Sequence, residues 1–458
     1  MVDSWGLHVA VASGVSGPSS TRIARTTLTA KNDTNDTHTH LCLSGLGVMS
    51  GYRRNTEGAQ LGVCLACVGG LLLFLGWVLS LLRRGYALDD VDVDKLLGVG
   101  SSGQVGRNVT WPQRGKTTIY WPPLEPLTNT NEKEGPYPKY TSLLSLVSAW
   151  NPDNPDPPSE FHETLQHFNY SDPAERAMAA KYRDAELPFK LFGVPEFAEV
   201  SRLWTDEYLM ENISEDPHAE ASDSNHFMYW NLAGRTQEGY VPPTELVDMS
   251  FKKWLSLAHR ADQVRISADT KHFYYMSGSP PRDRTGSVYS RDLKLFSTNE
   301  NNFFITNVKA NKGIQCRFGM RGIISEAHYD SGRNMVAMLR GEKRYMLSPP
   351  RTCNKLGIIS DVRHPSFRHS IIDWSDSSQA RSRGFHDVDA IDTIVRTGEV
   401  LYIPSYWFHY IISMKLSIQC NSRSGSPPNR QGEAEINECI GEKEKLKLMK
   451  KKAEKIAP

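Results

Sequence analysis

The sequence lacks an excess of charge of either sign. Its 53 Lys and Arg residues meet 52 Asp and Glu, a formal net charge of +1. That balance gives no electrostatic reason to expect a nucleic-acid partner. Cysteine is also sparse, with 7 in 458 residues. Cys64 and Cys67 sit inside an apolar run, and Cys42, Cys316, Cys353, Cys420 and Cys439 are odd in number and far apart. This argues against a small disulfide-stapled fold and leaves the redox compartment open. Nucleotide-binding motifs are broken. Gly98-Val-Gly-Ser-Ser-Gly103-Gln-Val105 has the spacing of a kinase glycine loop, yet no Asp-Phe-Gly occurs anywhere in the chain. Gly115-Lys116-Thr117 ends like a P-loop, but Thr110 stands where the first glycine must be. The Asp-Val-Asp pairs at 90–92 and 92–94 follow too closely on the apolar run to lie in a folded catalytic domain, and read as an acidic stem.

The hydrophobic share of 39% is enough for a sizeable core, which argues against wholesale disorder. Residues 1–60 open on Ser, Thr, Gly and Asn with little periodicity and predict a disordered tail. Residues 61–82 carry no charge and are bracketed by Arg53, Arg54, Arg83 and Arg84. At the α-helical rise this run spans a hydrocarbon core of about 30 Å, which predicts one transmembrane helix. Residues 83–140 read as a stem or linker. From 141 the composition turns globular. FHETLQHFNY, DPAERAMAAKYRDAE, the segment opened by Trp204 and SFKKWLSLAHRA predict helices, and LPFKLFGV a short strand.

After Asn302 the pattern changes to short β-runs: FFITNV, CRFGMRGIISEAHY, NMVAMLR, KRYMLS, IDTIVR, VLYIP, FHYIIS and LSIQCN. Runs at this spacing predict an all-β barrel or jelly roll over 305–425, with helical decoration from 141–304 before it. Residues 426–458 predict a Lys-rich helical tail.

The chemistry concentrates in Ser325-Glu-Ala-His328-Tyr-Asp330. On a strand, positions i and i+2 share a side, so His328 and Asp330 can aim at one ion while Tyr329 points away. His409, in LYIPSYWFHYIIS, can supply the third ligand from a neighbouring strand. Two imidazoles and one carboxylate on one face form the facial triad of non-haem Fe(II) oxygenases, with open positions left on the metal. Asn334 opens the next strand, Gly341-Glu342 turns the chain, and Lys343 starts the return. A lysine facing a barrel lumen is costly unless an anion pairs with it, and a dicarboxylate co-substrate is such an anion.

His328-Tyr-Asp330, Asn334, Arg340-Gly-Glu-Lys343-Arg, Ser348-Pro-Pro350, Gly398-Glu-Val-Leu-Tyr-Ile-Pro404 and Tyr406-Trp-Phe-His409 together resemble the JmjC/cupin-like family of 2-oxoglutarate oxygenases. The small hydroxylase branch is most similar, including the asparaginyl hydroxylase that acts on hypoxia-inducible factor. The resemblance implies a double-stranded β-helix. It implies Fe(II) on His328, Asp330 and His409, 2-oxoglutarate as co-substrate, and O2. It also implies that Lys343 pairs with the distal carboxylate of 2-oxoglutarate, helped by Ser325 where the family often has Thr. Asn421 would contact the co-substrate near the metal, with Asn334 in the same pocket. Tyr275, in HFYYMSG, matches a tyrosine that reaches the distal carboxylate, and Tyr274 matches nearly as well. Arg423 departs from the family, which often has an aromatic two places after that asparagine.

The expected function is hydroxylation of a protein or peptide side chain by a Fe(II)/2-oxoglutarate-dependent dioxygenase. The alternatives are a JmjC-type lysine demethylase and a non-catalytic metal-binding cupin that serves as an interaction module. The expected location is a single-pass membrane protein with its barrel in the ER or Golgi lumen. Flanking charges nearly tie, and glycosylation acceptors lie on both sides of the span, at Asn32 and Asn35 and at Asn108, Asn169 and Asn212. The lumenal choice therefore rests on the readiness of an internal start-transfer segment to send the long C-terminal part across.

Overall fold

The computed structural model describes residues 117–127, 137–213, 219–232, 239–263 and 271–441. Nine strands position the site: β1 (His272–Ser279), β2 (Asn311–Gly319), β3 (Ile324–Tyr329), β4 (Asn334–Arg340), β5 (Glu342–Ser348), β6 (Asp389–Arg396), β7 (Val400–Ile403), β8 (Phe408–Ser413) and β9 (Ser417–Ser424). In one sheet β7, β4, β9, β2 and β1 lie side by side. In the other the order is β6, β5, β8, β3. Consecutive strands from β2 on therefore mostly fall in opposite sheets, which is the double-stranded β-helix expected of this pattern. The exception is β5 and β6, which pair antiparallel in the same sheet, while the connection from β4 to β5 crosses between the sheets and is tight. That connection turns at Gly341, whose φ is +74°, and a Cβ there would meet the Leu416 carbonyl at 2.2 Å.

The lumen is filled by Val336, Met338, Tyr345, Leu347, Leu401 and Ile411. The outer face of the larger sheet is covered by helices. In Phe251–Gln263, residues Phe251, Trp254, Leu255 and Ala258 make a buried stripe at helical spacing, and Phe251 and Trp254 pack against Phe318. Both faces of β8 and β9 are covered, so every residue of the two strands is buried, the polar ones of β9 included.

Several local expectations hold. The helix Pro173–Asp184 starts where Asp172 accepts hydrogen bonds from the amides of Ala174 (2.8 Å) and Glu175 (3.2 Å). Asp206–Asn212 begins at Thr205, whose hydroxyl takes the Tyr208 amide. Phe189–Phe192 is a strand.

Two expectations fail. FHETLQHFNY is not helical. It forms strands Glu160–His162 and His167–Asn169. The spacing of the buried Phe161, Leu165 and Phe168 mimics a helix period, but pairing with Phe189–Phe192 decides the outcome. The fully buried Lys190 of that strand then finds Glu163 at 2.9 Å. FFITNV is not a strand either. Asn302 Oδ1 accepts from the amides of Phe304 (2.8 Å) and Ile305 (2.7 Å), and this Asx turn displaces ladder pairing.

Cys316 and Cys420 face each other across β2 and β9 and form a disulfide. Cys353 is joined to Cys439 at the end of helix Gln431–Cys439. The barrel has its own core, so these bonds reinforce it and are not a substitute for it. The apolar run at 61–82, the tail before it and the Lys-rich segment after 441 lie outside the described residues. Among those described, no helix is long and apolar enough to cross a membrane.

Candidate metal centre and co-substrate pocket

His328 near the end of β3, Asp330 just past it and His409 on β8 offer ligand atoms that all lie within 4.8 Å of one another. His328 and His409 are directly paired across the two strands, and their ring centroids are 4.2 Å apart. His409 Nε2 is 3.9 Å from Asp330 Oδ2. A carbonyl holds each ring from behind. His328 Nδ1 donates to the Glu326 carbonyl (2.7 Å) and His409 Nδ1 to the Trp407 carbonyl (3.0 Å). Both protons are thereby fixed on Nδ1, and both Nε2 lone pairs are left for a metal.

Charge favours the same outcome. Burial, followed by the neighbouring His409 and His369, holds His328 well below the usual histidine range. Burial likewise lowers His409. Burial works to raise the Asp330 carboxyl, but the charges of Arg423, His328 and Arg368 outweigh it and hold it below the ordinary carboxylate range. Two neutral imidazoles and one ionised carboxylate, without a thiolate, suit a non-haem divalent iron.

The second part of the site is a buried cation. Lys343 on β5 is fully buried and faces the lumen. Its Nζ lies 3.4 Å from the Tyr274 hydroxyl, which is also 3.4 Å from Ser325 Oγ. Burial pushes the ammonium below the usual lysine range, and Tyr274 opposes the shift. Among the described residues no carboxylate forms an ion pair with it. An ammonium with two hydroxyls around it is a fitting seat for the distal carboxylate of a keto-diacid. Asn421 Nδ2 donates to Asn334 Oδ1 (3.0 Å), so these two amides are joined across β9 and β4.

Tyr275 does not belong to this group. Strand alternation turns it to the outer face, where it packs edge-on against Phe318 (5.6 Å) and Phe251 (5.3 Å). Tyr274 is the lumenal tyrosine. Sequence reading could not separate two adjacent tyrosines without the register, which pairs Tyr274 with Gly319 and Tyr275 with Phe318.

Other residues at the centre were not foreseen as site residues. Arg423 donates through Nη1 to Asp330 Oδ1 and through Nη2 to Gln315 Oε1 (2.9 Å). Arg368 Nη1 lies 3.6 Å from the same Asp330 oxygen. His369 stacks on His328 with centroids 4.9 Å apart. Burial, with help from Arg368, brings its pKa down to about 4. Arg368 and His369 come from a segment between β5 and β6 that has no strand periodicity. The departure at position 423 was the one available signal.

Comparison with known proteins agrees with this geometry. The cupin-like domain family matches residues 175–423, more than half of the chain. JmjC domain-containing protein D of Dictyostelium discoideum is 28% identical over 111 residues, 24% of this chain and 25% of that protein. tRNA wybutosine-synthesizing protein 5 of Homo sapiens is 21% identical over 243 residues, 51% of this chain and 70% of that protein. Lysine-specific demethylase 8 of Xenopus tropicalis is 30% identical over 105 residues, 23% of each chain. The alignment to the first and last of these spans about a quarter of their length. With its facial His/Asp/His cluster set in a double-stranded β-helix, the chain belongs to the cupin-like JmjC family of 2-oxoglutarate oxygenases.

Proposed function

We propose that this protein is a Fe(II)- and 2-oxoglutarate-dependent dioxygenase that hydroxylates a side chain of a protein or peptide. The observation that carries the reading is the pairing, in one lumen, of the His328/Asp330/His409 cluster with the buried, carboxylate-free Lys343. His328, Asp330 and His409 would hold iron, while Lys343, Tyr274 and Ser325 would anchor the co-substrate. The bound metal and keto-acid together would supply O2 activation with oxidative decarboxylation to succinate and CO2. The chain's own part is to fix the ligand tautomers through the Glu326 and Trp407 carbonyls and to hold the co-substrate by its far carboxylate. The packed lumen of Tyr345, Leu347 and Ile411 keeps water away.

Hydroxylation is favoured over lysine demethylation by the two guanidinium groups, Arg423 and Arg368, that crowd the single Asp330 carboxylate. A methylated lysine brings another positive charge to the reacting centre, and like charges placed together in a poorly solvated site disfavour it. We further propose that residues 61–82 anchor the protein in a membrane with the barrel on the ER or Golgi lumenal side. The two disulfides support an oxidising compartment.

The test is incubation of the purified protein with Fe(II), 2-oxoglutarate and candidate peptides, followed by mass spectrometry. Gain of an oxygen atom on a peptide, with succinate formed, supports the proposal. Release of formaldehyde from methyl-lysine peptides would overturn the hydroxylase half. Oxygen incorporation into tRNA but into no peptide would overturn the choice of substrate.

A further inference from the structure

Behind the iron ligands, on the other side of the same sheet, lies a second group of metal-type side chains. Strand β3 is bulged against β8. Ser325 pairs with Ile411 and His328 with His409, which leaves one extra residue on β3. Glu326 sits in that bulge, on the side of the sheet that carries Tyr410. There Tyr410 stacks on Trp374 with centroids 5.3 Å apart. Glu326 is only 7% exposed. Its Oε1 is 2.5 Å from His226 Nδ1, and its buried Oε2 makes no hydrogen bond. Asp373 spends Oδ1 on the amide and hydroxyl of Ser375, both at 2.8 Å. Asp153 Oδ1 lies 3.4 Å from His226 Nε2.

We propose that His226, Glu326 and Asp373 bind a second divalent cation, separate from the iron centre. One ligand atom from each of the three lies within 4.8 Å of the others. Three carboxylates (Asp153, Glu326 and Asp373) surround one imidazole, and among the described residues no lysine or arginine forms an ion pair with any of them. Even a protonated His226 leaves the group net negative. Burying a carboxylate oxygen without a donor is costly, and a cation removes that cost. A bound cation takes the place of the imidazole proton, which is released to solvent. Imidazole with carboxylate and no thiolate suits a zinc- or manganese-type ion. The place of Glu326 gives such an ion a structural role, because its own carbonyl accepts the Nδ1 proton of His328. An ion held by the Glu326 side chain fixes the bulge that aims this iron ligand.

The test counts metal in the full chain carrying Asp330→Ala, which removes the iron centre. After dialysis against Zn2+ or Mn2+ in separate arms and desalting, plasma mass spectrometry should find about one equivalent per chain. Adding Glu326→Gln or His226→Asn should remove it. No bound metal in an Asp330→Ala protein with the circular dichroism of wild type overturns the proposal, as does metal retained by the double variants. Where a variant does not fold, anomalous diffraction from wild-type crystals soaked in either ion decides. A peak between His226, Glu326 and Asp373 supports the site, and no peak there with both ions overturns it.

Discussion

The Asp330 carboxylate faces two ways: Oδ1 accepts a hydrogen bond from Arg423, while Oδ2 lies 3.9 Å from His409 Nε2 on the metal side. The arginine both orients the carboxylate and keeps it ionised. Burial pushes Asp330 toward the protonated form, and Arg423 is the largest influence against it. A carboxyl lowered in this way keeps its ligand charge until the pH falls through its depressed pKa. In Arg423→Leu that pKa rises, so iron should be lost at a higher pH during acidification than in wild type. Iron retention measured between about pH 4 and pH 7 checks this. Superimposable release curves would show that Arg423 does not control the ligand.

Lys343→Ala should raise the KM for 2-oxoglutarate far more than it weakens iron binding. Leaving a co-substrate carboxylate unpaired in a buried pocket costs on the order of 2–5 kcal/mol, about thirtyfold to several thousandfold in KM. Tyr274→Phe should give a smaller increase, since its hydroxyl touches both Lys343 Nζ and Ser325 Oγ at 3.4 Å. Tyr275→Phe should leave KM unchanged, because that ring packs on Phe318 outside the lumen. An effect of Tyr275→Phe equal to that of Tyr274→Phe would contradict the assigned strand faces.

Both disulfides close long stretches of chain, with sequence separations of 104 and 86. On the loop-entropy account each contributes about 4–5 kcal/mol against the reduced unfolded chain. Thermal melts in excess dithiothreitol should therefore show a clear drop in Tm, and Cys316→Ala/Cys420→Ala should reproduce part of it. Identical melts with and without reductant would remove the support these bonds lend to an oxidising compartment.

That His328, Asp330 and His409 come together was legible in the sequence because a strand imposes its own geometry: His328-x-Asp330 needs only alternation, and His409 only a neighbouring strand. Lys343 was legible because a charge in an apolar return strand calls for an anion. The face of Tyr275 was not legible, since it depends on a long-range register. Arg368 and His369 reach Asp330 and His328 from an irregular segment that carries no periodic signal. The misread stretch around Phe161 and Phe168 shows the same limit, for apolar spacing suggested a helix while pairing with Phe189–Phe192 made strands. His226 and Glu326 meet only because a two-residue edge strand, His226–Phe227, docks beside β3.

A lumenal barrel predicts glycan addition at Asn108, Asn169 or Asn212. The protein expressed in cells should shift in mobility on glycosidase treatment, and the combined Asn108→Gln, Asn169→Gln and Asn212→Gln variant should not. Release of intact protein by alkaline carbonate would remove the anchor at 61–82.

The most direct measurement is succinate formation from 2-oxoglutarate with added Fe(II), compared between wild type and Asp330→Ala. Wild type should form succinate in an iron- and O2-dependent manner, through uncoupled turnover if no substrate is supplied. Asp330→Ala should bind no iron at the His328/His409 site and form none, while keeping the wild-type circular dichroism. Full succinate formation by a folded Asp330→Ala protein would contradict the assignment of the metal centre.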